Sequence, residues 1–236
     1  FVVQEIIRAV LLFSTRFVRP GGGFGFSELR SLLRFGFGVS LVQTTNAAAY
    51  QLDNLVVSKL LGAQALGFYS RAYQVITVPT KLIGNSFIKA LFPAMSLIQK
   101  DRVRLVAGFS RAVVGVAMIT VPATAFLFIF APEIIMLLLG DQWSDAIVPF
   151  RILSIAILFR VCHKLCEAII RADGAVYRLW LTQLTFALSV LAFAYAGHGY
   201  GITGVAFGVL LACVLNVALL LDLTRRLTGL EVGAVL

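Results

Sequence analysis

Charge is scarce in this chain. Asp, Glu, Lys and Arg make up 13% of its 236 residues, and only 11 of them are acidic. Cysteine is scarcer still, at three residues, which excludes a disulfide-stapled fold. Cys162, His163 and Cys166 are close in sequence, but His163 points about 100° away from the face the two cysteines share. No fourth ligand lies near them, so neither a metal nor any other cofactor is expected. A glycine run at residues 21–25 is not followed by Gly-Lys-Ser/Thr, so it is no phosphate-binding loop, and ATP-driven pumping is not expected. The apolar runs do not alternate at period two, which excludes a membrane β-barrel. The chain opens inside an apolar run, without Met and without a charged region leading to a cleavage site. It is therefore expected to be a fragment whose upstream half is missing.

What is abundant is apolar surface. Hydrophobic residues make up 60% of the chain and the mean hydropathy is +0.95, more than a soluble domain of this size can bury. A bilayer core about 30 Å thick needs roughly 20 apolar residues per helical crossing. On that measure one partial span covers residues 1–18, and full spans cover 35–58, 66–97, 108–131, 146–170, 177–196 and 202–223. Residues 132–139 are expected to form a short helix or re-entrant turn at the outer surface. The fold class is all-α: a polytopic membrane helix bundle of six helices plus part of a preceding one.

The connecting segments sort by charge. One side carries Arg16, Arg19, Arg30 and Arg34, then Lys100, Arg102, Arg104 and Arg111, then Arg171 and Arg178, then Arg225 and Arg226. The other side carries residues 140–145, with two aspartates and no base, and residues 197–201, with His198. Lys59 is the one basic exception. By the positive-inside rule the basic segments are cytoplasmic, so much of the net charge of +9 is a topology signal. Nothing gathers these bases on one soluble face, so no nucleic-acid partner is expected. Four segments follow: residues 1–18 a partial span, 19–34 a cytoplasmic inter-lobe linker, 35–226 a six-helix lobe and 227–236 a cytoplasmic tail.

Charged and amide groups at membrane depth cost several kcal/mol each unless they face protein or a wet cavity. Gln43, Asn46, Tyr50 and Asp53 recur at spacings of three and four in one span. Ser70, Gln74, Lys81, Asn85 and Lys89 share a face of the next at spacings of four and seven, with Arg71 beside them. Arg160, Lys164 and Glu167 share a face of a third, with Arg151 on another. One reading is a hydrated cationic cavity for a substrate bearing phosphate or acidic sugars. The candidate substrate-binding residues are then Arg71, Gln74, Lys81, Asn85, Lys89, Arg160 and Lys164, with Asp53 as an ion-coupling or pairing group. The other reading has the bases near helix ends snorkelling to an interface, and Gln74 and Asn85 bonding neighbouring helices. Pro79, Pro93 and Pro122 interrupt helical hydrogen bonding, either as static kinks or as bends that serve transport.

The stretch from Asp53-Asn54-Leu55 through Leu61-Gly62-Ala63-Gln64-Ala65-Leu66-Gly67-Phe68-Tyr69-Ser70-Arg71-Ala72-Tyr73 resembles a signature of the polysaccharide-exporter flippases. These form the Wzx-type, WzxC-like branch of the multidrug/oligosaccharidyl-lipid/polysaccharide superfamily. Phe92-Pro93-Ala94-Met95-Ser96 is similar to the Phe-Pro end of a helix in that family. Ala131-Pro132-Glu133 through Leu139-Gly140-Asp141-Gln142-Trp143 is similar to its outer loop. Ser58 departs from the pattern, since many relatives have glycine there. The resemblance covers roughly residues 29–226. It implies a fold like that of the multidrug and toxic compound extruders, with this chain as the C-terminal lobe.

It also implies a function: moving undecaprenyl-diphosphate-linked oligosaccharide across the bacterial inner membrane for capsule, exopolysaccharide or lipopolysaccharide assembly. The partners so implied are that lipid-linked oligosaccharide, membrane lipid, an N-terminal lobe of the same protein and polysaccharide polymerase machinery. No enzymatic step is expected. A drug/cation antiporter of the same superfamily would need an acidic cavity, whereas these stripes are basic. A membrane-integral glycan enzyme would need clustered His, Asp or Glu at one membrane face. A scaffold subunit would need neither Lys81 nor Asn85 at mid-helix depth.

Overall fold

The computed structural model describes the backbone of residues 26–98 and 102–228, and side chains over residues 29–80, 107–108 and 110–227. The expected partial span (1–18), the glycine run and the tail after Thr228 lie outside the described residues, as do the side chains of Lys81, Asn85 and Lys89. Contacts divide the chain into residues 1–36 and 37–236. Of the first unit, the description covers only the opening of α1, and all that follows concerns the second.

Every described element is helical. The order is α1 (Phe26–Leu60), α2 (Gly62–Ile98), α3 (Arg102–Ile129), α4 (Ala131–Leu139), a 3-10 turn (Asp141–Ala146), α5 (Ile147–Ala172), α6 (Val176–Gly197), a second 3-10 turn (His198–Tyr200) and α7 (Gly201–Thr228). Among the described residues, three stretches are long and apolar enough to cross a membrane: Ser110–Ile129, Asp141–Ala172 and Val176–Leu227, the last holding both α6 and α7. The molecule is a multi-pass membrane protein. α1 begins at Phe26, inside the segment expected as a linker. α2 runs unbroken through Pro79 and Pro93, and α3 through Pro122. The hydroxyls of Thr77 and Thr80 bond back to the carbonyls of Tyr73 and Ile76 at 2.7 and 2.8 Å.

α4 is a short helix, one of the two forms expected for residues 132–139; Pro132 sits in its first turn with Glu133, where a missing N–H and a negative charge both fit a helix start. It leaves apolar side chains exposed, Leu137 at 87% among them. Gly140 ends it at φ 98°, a conformation that side chains rarely adopt.

α5 is the central helix. It packs against α2, α3, α4 and α7, burying Phe150, Leu153, Ile157, Val161 and Ile169 completely or nearly so. Lipid tails are as apolar as leucine, so these contacts gain from close packing and interhelical hydrogen bonds rather than from expelling water. The α6–α7 pair takes this furthest. A Cβ on Gly204 would stand 2.1 Å from the Gly197 carbonyl oxygen, and one on Gly208 would stand 2.5 Å from that of Phe193. The two backbones touch, and only glycine permits it. α1 joins α6 where the Trp180 indole N–H donates to Thr45 Oγ1 at 3.1 Å.

Candidate functional site: a basic cavity between three helices

A cavity of about 700 Å³ opens between α1, α2 and α5. From α1 it is lined by Ala47, Tyr50, Gln51 and Asn54; from α2 by Ser70, Tyr73, Gln74, Thr77, Val78 and Thr80; from α5 by Arg160 and Lys164. On each helix the lining positions recur at intervals of three and four, some as adjacent pairs, which makes one broad helical face. A base at each of two successive α5 turns makes the lining cationic.

Arg160 is the buried element of this wall, at 6% exposure. Its Nη2 donates to the Tyr73 hydroxyl at 2.8 Å. Its guanidinium carbon lies over the Tyr73 ring, 4.6 Å from the centroid, and over the Tyr50 ring at 5.1 Å. Two electron-rich ring faces offset part of the cost of holding the cation in a low-dielectric site. The remaining guanidinium donors leave capacity for an acceptor, and the buried Nε has no hydrogen-bond partner among the described residues.

Lys164, one turn further along α5, reaches Glu167 Oε2 at 3.2 Å. Arg171 Nη2 holds the other oxygen, Oε1. Glu167 is itself buried, so these cations answer a carboxylate that would be costly alone. Asp53, also buried, accepts from the Tyr69 hydroxyl at 2.8 Å and from the Asn54 backbone N–H at 2.9 Å. The Tyr69 ring centroid is 6.1 Å from that of Tyr73. Asp53 thus stands behind the wall, one aromatic layer from the Tyr73–Arg160 contact.

The expected residues divide accordingly. Gln74, Arg160 and Lys164 line the cavity. Arg71 does not: its Nη1 donates to Gln74 Oε1 at 3.0 Å and its guanidinium lies over Trp143 at 5.9 Å, so it braces a lining residue from the rim. Lys81, Asn85 and Lys89 continue α2 beyond the described side chains. On α1 the expected stripe splits, with Asn46 and Asp53 buried against protein and Tyr50 facing the cavity. Gln43 is exposed. Arg151 lies over Phe128 of α3 at 6.0 Å, away from the cavity. Asp145 borders a second, more open hollow of about 600 Å³ with Gln64, Ser144, Tyr200 and Thr203.

Sequence reasoning passed over Tyr73, Thr77 and Thr80, although the spacing of Ser70, Gln74 and residue 77 carries them. It also passed over a buried polar knot behind the wall. His163 Nδ1 meets the Asn216 amide of α7 at 2.8 Å, and its Nε2 meets the Gln183 amide of α6 at 3.4 Å. Two amides set in otherwise apolar helices were the available signal.

Known proteins resemble this chain along its length. The lipopolysaccharide biosynthesis protein WzxC of Escherichia coli K12 is 27% identical over 228 residues, covering 93% of this chain and 45% of WzxC. The teichuronic acid biosynthesis protein TuaB of Bacillus subtilis is 23% identical over 210 residues, covering 83% of this chain and 44% of TuaB. The succinoglycan biosynthesis transport protein ExoT of Rhizobium meliloti is 24% identical over 144 residues, covering 61% of this chain and 29% of ExoT. The chain therefore spans less than half the length of these relatives. Among solved structures, an outward-facing multidrug resistance MATE family transporter of the MOP superfamily superposes with a TM-score of 0.83 at 19% identity, over 97% of this chain and 54% of that one. MATE in its straight conformation gives 0.81, with the same identity and coverage. The fold is MATE-like, as the sequence resemblance implied. Residues 1–148 match the family described as polysaccharide biosynthesis protein, well over half of the 236, and the chain belongs to that family.

Proposed function

We propose that this chain is one lobe of a flippase that carries lipid-linked oligosaccharide across the bacterial inner membrane by alternating access. The observation that carries the reading is the cavity between α1, α2 and α5, walled by Arg160 and Lys164 and rimmed by amides, phenols and hydroxyls. A diphosphate needs localised positive charge, and sugars need many neutral hydrogen-bonding groups; both are present in its lining. The family membership and the MATE-like fold support it. Residues 35–226 are the lobe and 1–18 the end of a preceding span. Residues 19–34 join the lobes, their second half being the start of α1, and 227–236 are a cytoplasmic tail.

In this reading Arg160, Lys164, Lys81 and Lys89 offset diphosphate or sugar-acid charge. Gln74 and Asn85 bond hydroxyls, Arg71 holds Gln74 in place, and Asp53 is a pairing or ion-coupling group. The substrate is an undecaprenyl-diphosphate-linked oligosaccharide destined for capsule, exopolysaccharide or lipopolysaccharide. No bond is made or broken. The remaining partners are the other lobe, membrane lipid and polymerase machinery. The test replaces Lys81 and Arg160 with alanine in the full-length protein and measures surface polymer. Export should fall sharply at unchanged protein level, and undiminished export removes both residues from the substrate site.

A further inference from the structure

Three connections of the lobe meet around the second hollow, of about 600 Å³. The α1–α2 junction leads into Gln64 and Phe68, the first 3-10 turn supplies Ser144 and Asp145, and the second supplies Tyr200, with Thr203 at the start of α7. Arg171, Arg178, Arg225 and Arg226 stand at the opposite ends of α5, α6 and α7. Among the described residues the lining has one charged group, the Asp145 carboxylate, and no base. Its chemistry is therefore the reverse of the central cavity's. A phosphate or an acidic sugar would meet a like charge here.

A neutral sugar ring offers an apolar C–H face and an edge of hydroxyls, so it needs a flat apolar surface with acceptors and donors beside it. Tyr200 and Phe68 supply aromatic surface. The Asp145 carboxylate can accept from two hydroxyls at once, through the stronger, charge-assisted kind of bond. Gln64, Ser144 and Thr203 add neutral donors and acceptors. Among the described residues, none of the five polar side chains of this lining is hydrogen-bonded to protein, whereas Tyr73, Gln74, Arg160 and Lys164 of the central cavity all are. Tyr200 is 85% exposed, yet its base is fixed. A Cβ on Gly204 would stand 2.8 Å from the Tyr200 Cβ, and Gly201 turns the chain into α7 at φ 67°. The ring is thus carried on a tightly packed support rather than on a free loop.

The two hollows share α2 and α5. Phe68 meets Trp143 edge-on at 5.6 Å, and Arg71 lies over that same indole while it holds Gln74 of the central cavity. Along α5, Val148 of the outer hollow and Arg160 of the cavity are about 18 Å apart at the helical rise per residue. A ligand with phosphate at one end and several sugars at the other can reach both. We propose that the second hollow is a binding site for neutral sugar residues, with the Tyr200 ring against a sugar face and Asp145 accepting from its hydroxyls. That these sugars belong to the exported glycan rests on the flippase reading; that the hollow binds sugar does not.

The test uses the purified full-length protein in a detergent without a sugar headgroup. Cellotetraose and maltotetraose are the neutral probes and tetragalacturonate the acidic one, with binding titrated by saturation-transfer NMR. Wild type should bind a neutral tetrasaccharide and reject tetragalacturonate. Tyr200→Leu, which keeps bulk but loses the flat face, should weaken that binding about fivefold, and Tyr200→Trp should retain it. Asp145→Asn should weaken it about tenfold. Both positions are exposed, so these variants should elute and melt as wild type does. Wild type that binds neither neutral probe overturns the site. So does tetragalacturonate binding as tight as theirs, or neutral binding that Tyr200→Leu and Asp145→Asn leave unchanged. Geranylgeranyl diphosphate, titrated on the same samples, reports on the central cavity, and its affinity should be equal in wild type and Tyr200→Leu. Wild type that fails to bind it overturns the cavity reading, while the sugar site stands or falls on the tetrasaccharides.

Discussion

Tyr73 and Arg160 are 87 positions apart and meet at 2.8 Å, the phenol oxygen accepting from a guanidinium that also lies over its ring. One aromatic side chain of α2 therefore fixes both the position and the plane of the base in α5. Tyr73→Phe keeps the ring and deletes the acceptor, and should destabilise the protein by about 1–3 kcal/mol, read as a lower melting temperature in detergent. Arg160→Lys keeps the charge but loses the planar fork and much of the stacking, so it should export polymer poorly at normal abundance.

Asp53 depends on Tyr69 in the same way. Tyr69→Phe strips a buried carboxylate of a hydroxyl donor at 2.8 Å and should cost about 1–3 kcal/mol. Adding Asp53→Leu to Tyr69→Phe should recover part of the loss, because a buried carboxyl group left with the Asn54 backbone N–H alone is replaced by a packed apolar group. Melting temperatures of the two single variants and the double variant close that cycle.

Thr77 sits on the cavity wall and its hydroxyl is spent on its own helix. Thr77→Trp should fill part of the cavity and stop polymer export while leaving the melting temperature close to wild type. A parallel assay of Thr77→Ser, which keeps the volume nearly unchanged, should show normal export.

Gly204 tests the fold rather than the site. Gly204→Ala drives a methyl group against the Gly197 carbonyl and should cost about 1–3 kcal/mol or more by overpacking. The expected sign is loss of the monodisperse peak in size-exclusion chromatography of a fluorescent fusion. Gly199→Ala, with nothing within 4 Å of the added carbon, is the control and should behave as wild type.

The helices were legible because lipid imposes a length and a composition. Residues 146–170 were expected for a span that the structure places at Ile147–Ala172. α1 extends beyond the expected span of residues 35–58, beginning at Phe26, since Arg30 and Arg34 end an apolar run without ending a helix. The cavity lining was legible through Arg160, Lys164 and Gln74, as polar groups within long apolar stretches need a reason. Tyr50 and Tyr73 were less so, because tyrosine is ordinary in membrane helices and only its orientation makes it a platform. The split stripe on α1 has a rotational cause. Asn46 and Asp53 lie seven residues apart on one line, and Ala47 and Asn54 lie on the next line round, about 100° away.

Where α6 and α7 meet at Gly197, Gly204 and Gly208, no layer of side chains separates them. Sliding needs such a layer, so this pair can travel only as a single strut, welded at the end that carries the His198–Tyr200 turn. Any splaying within it is confined to the far end, where Arg178 and Arg226 stand, and in the proposed alternating-access cycle the hinge would lie outside this pair.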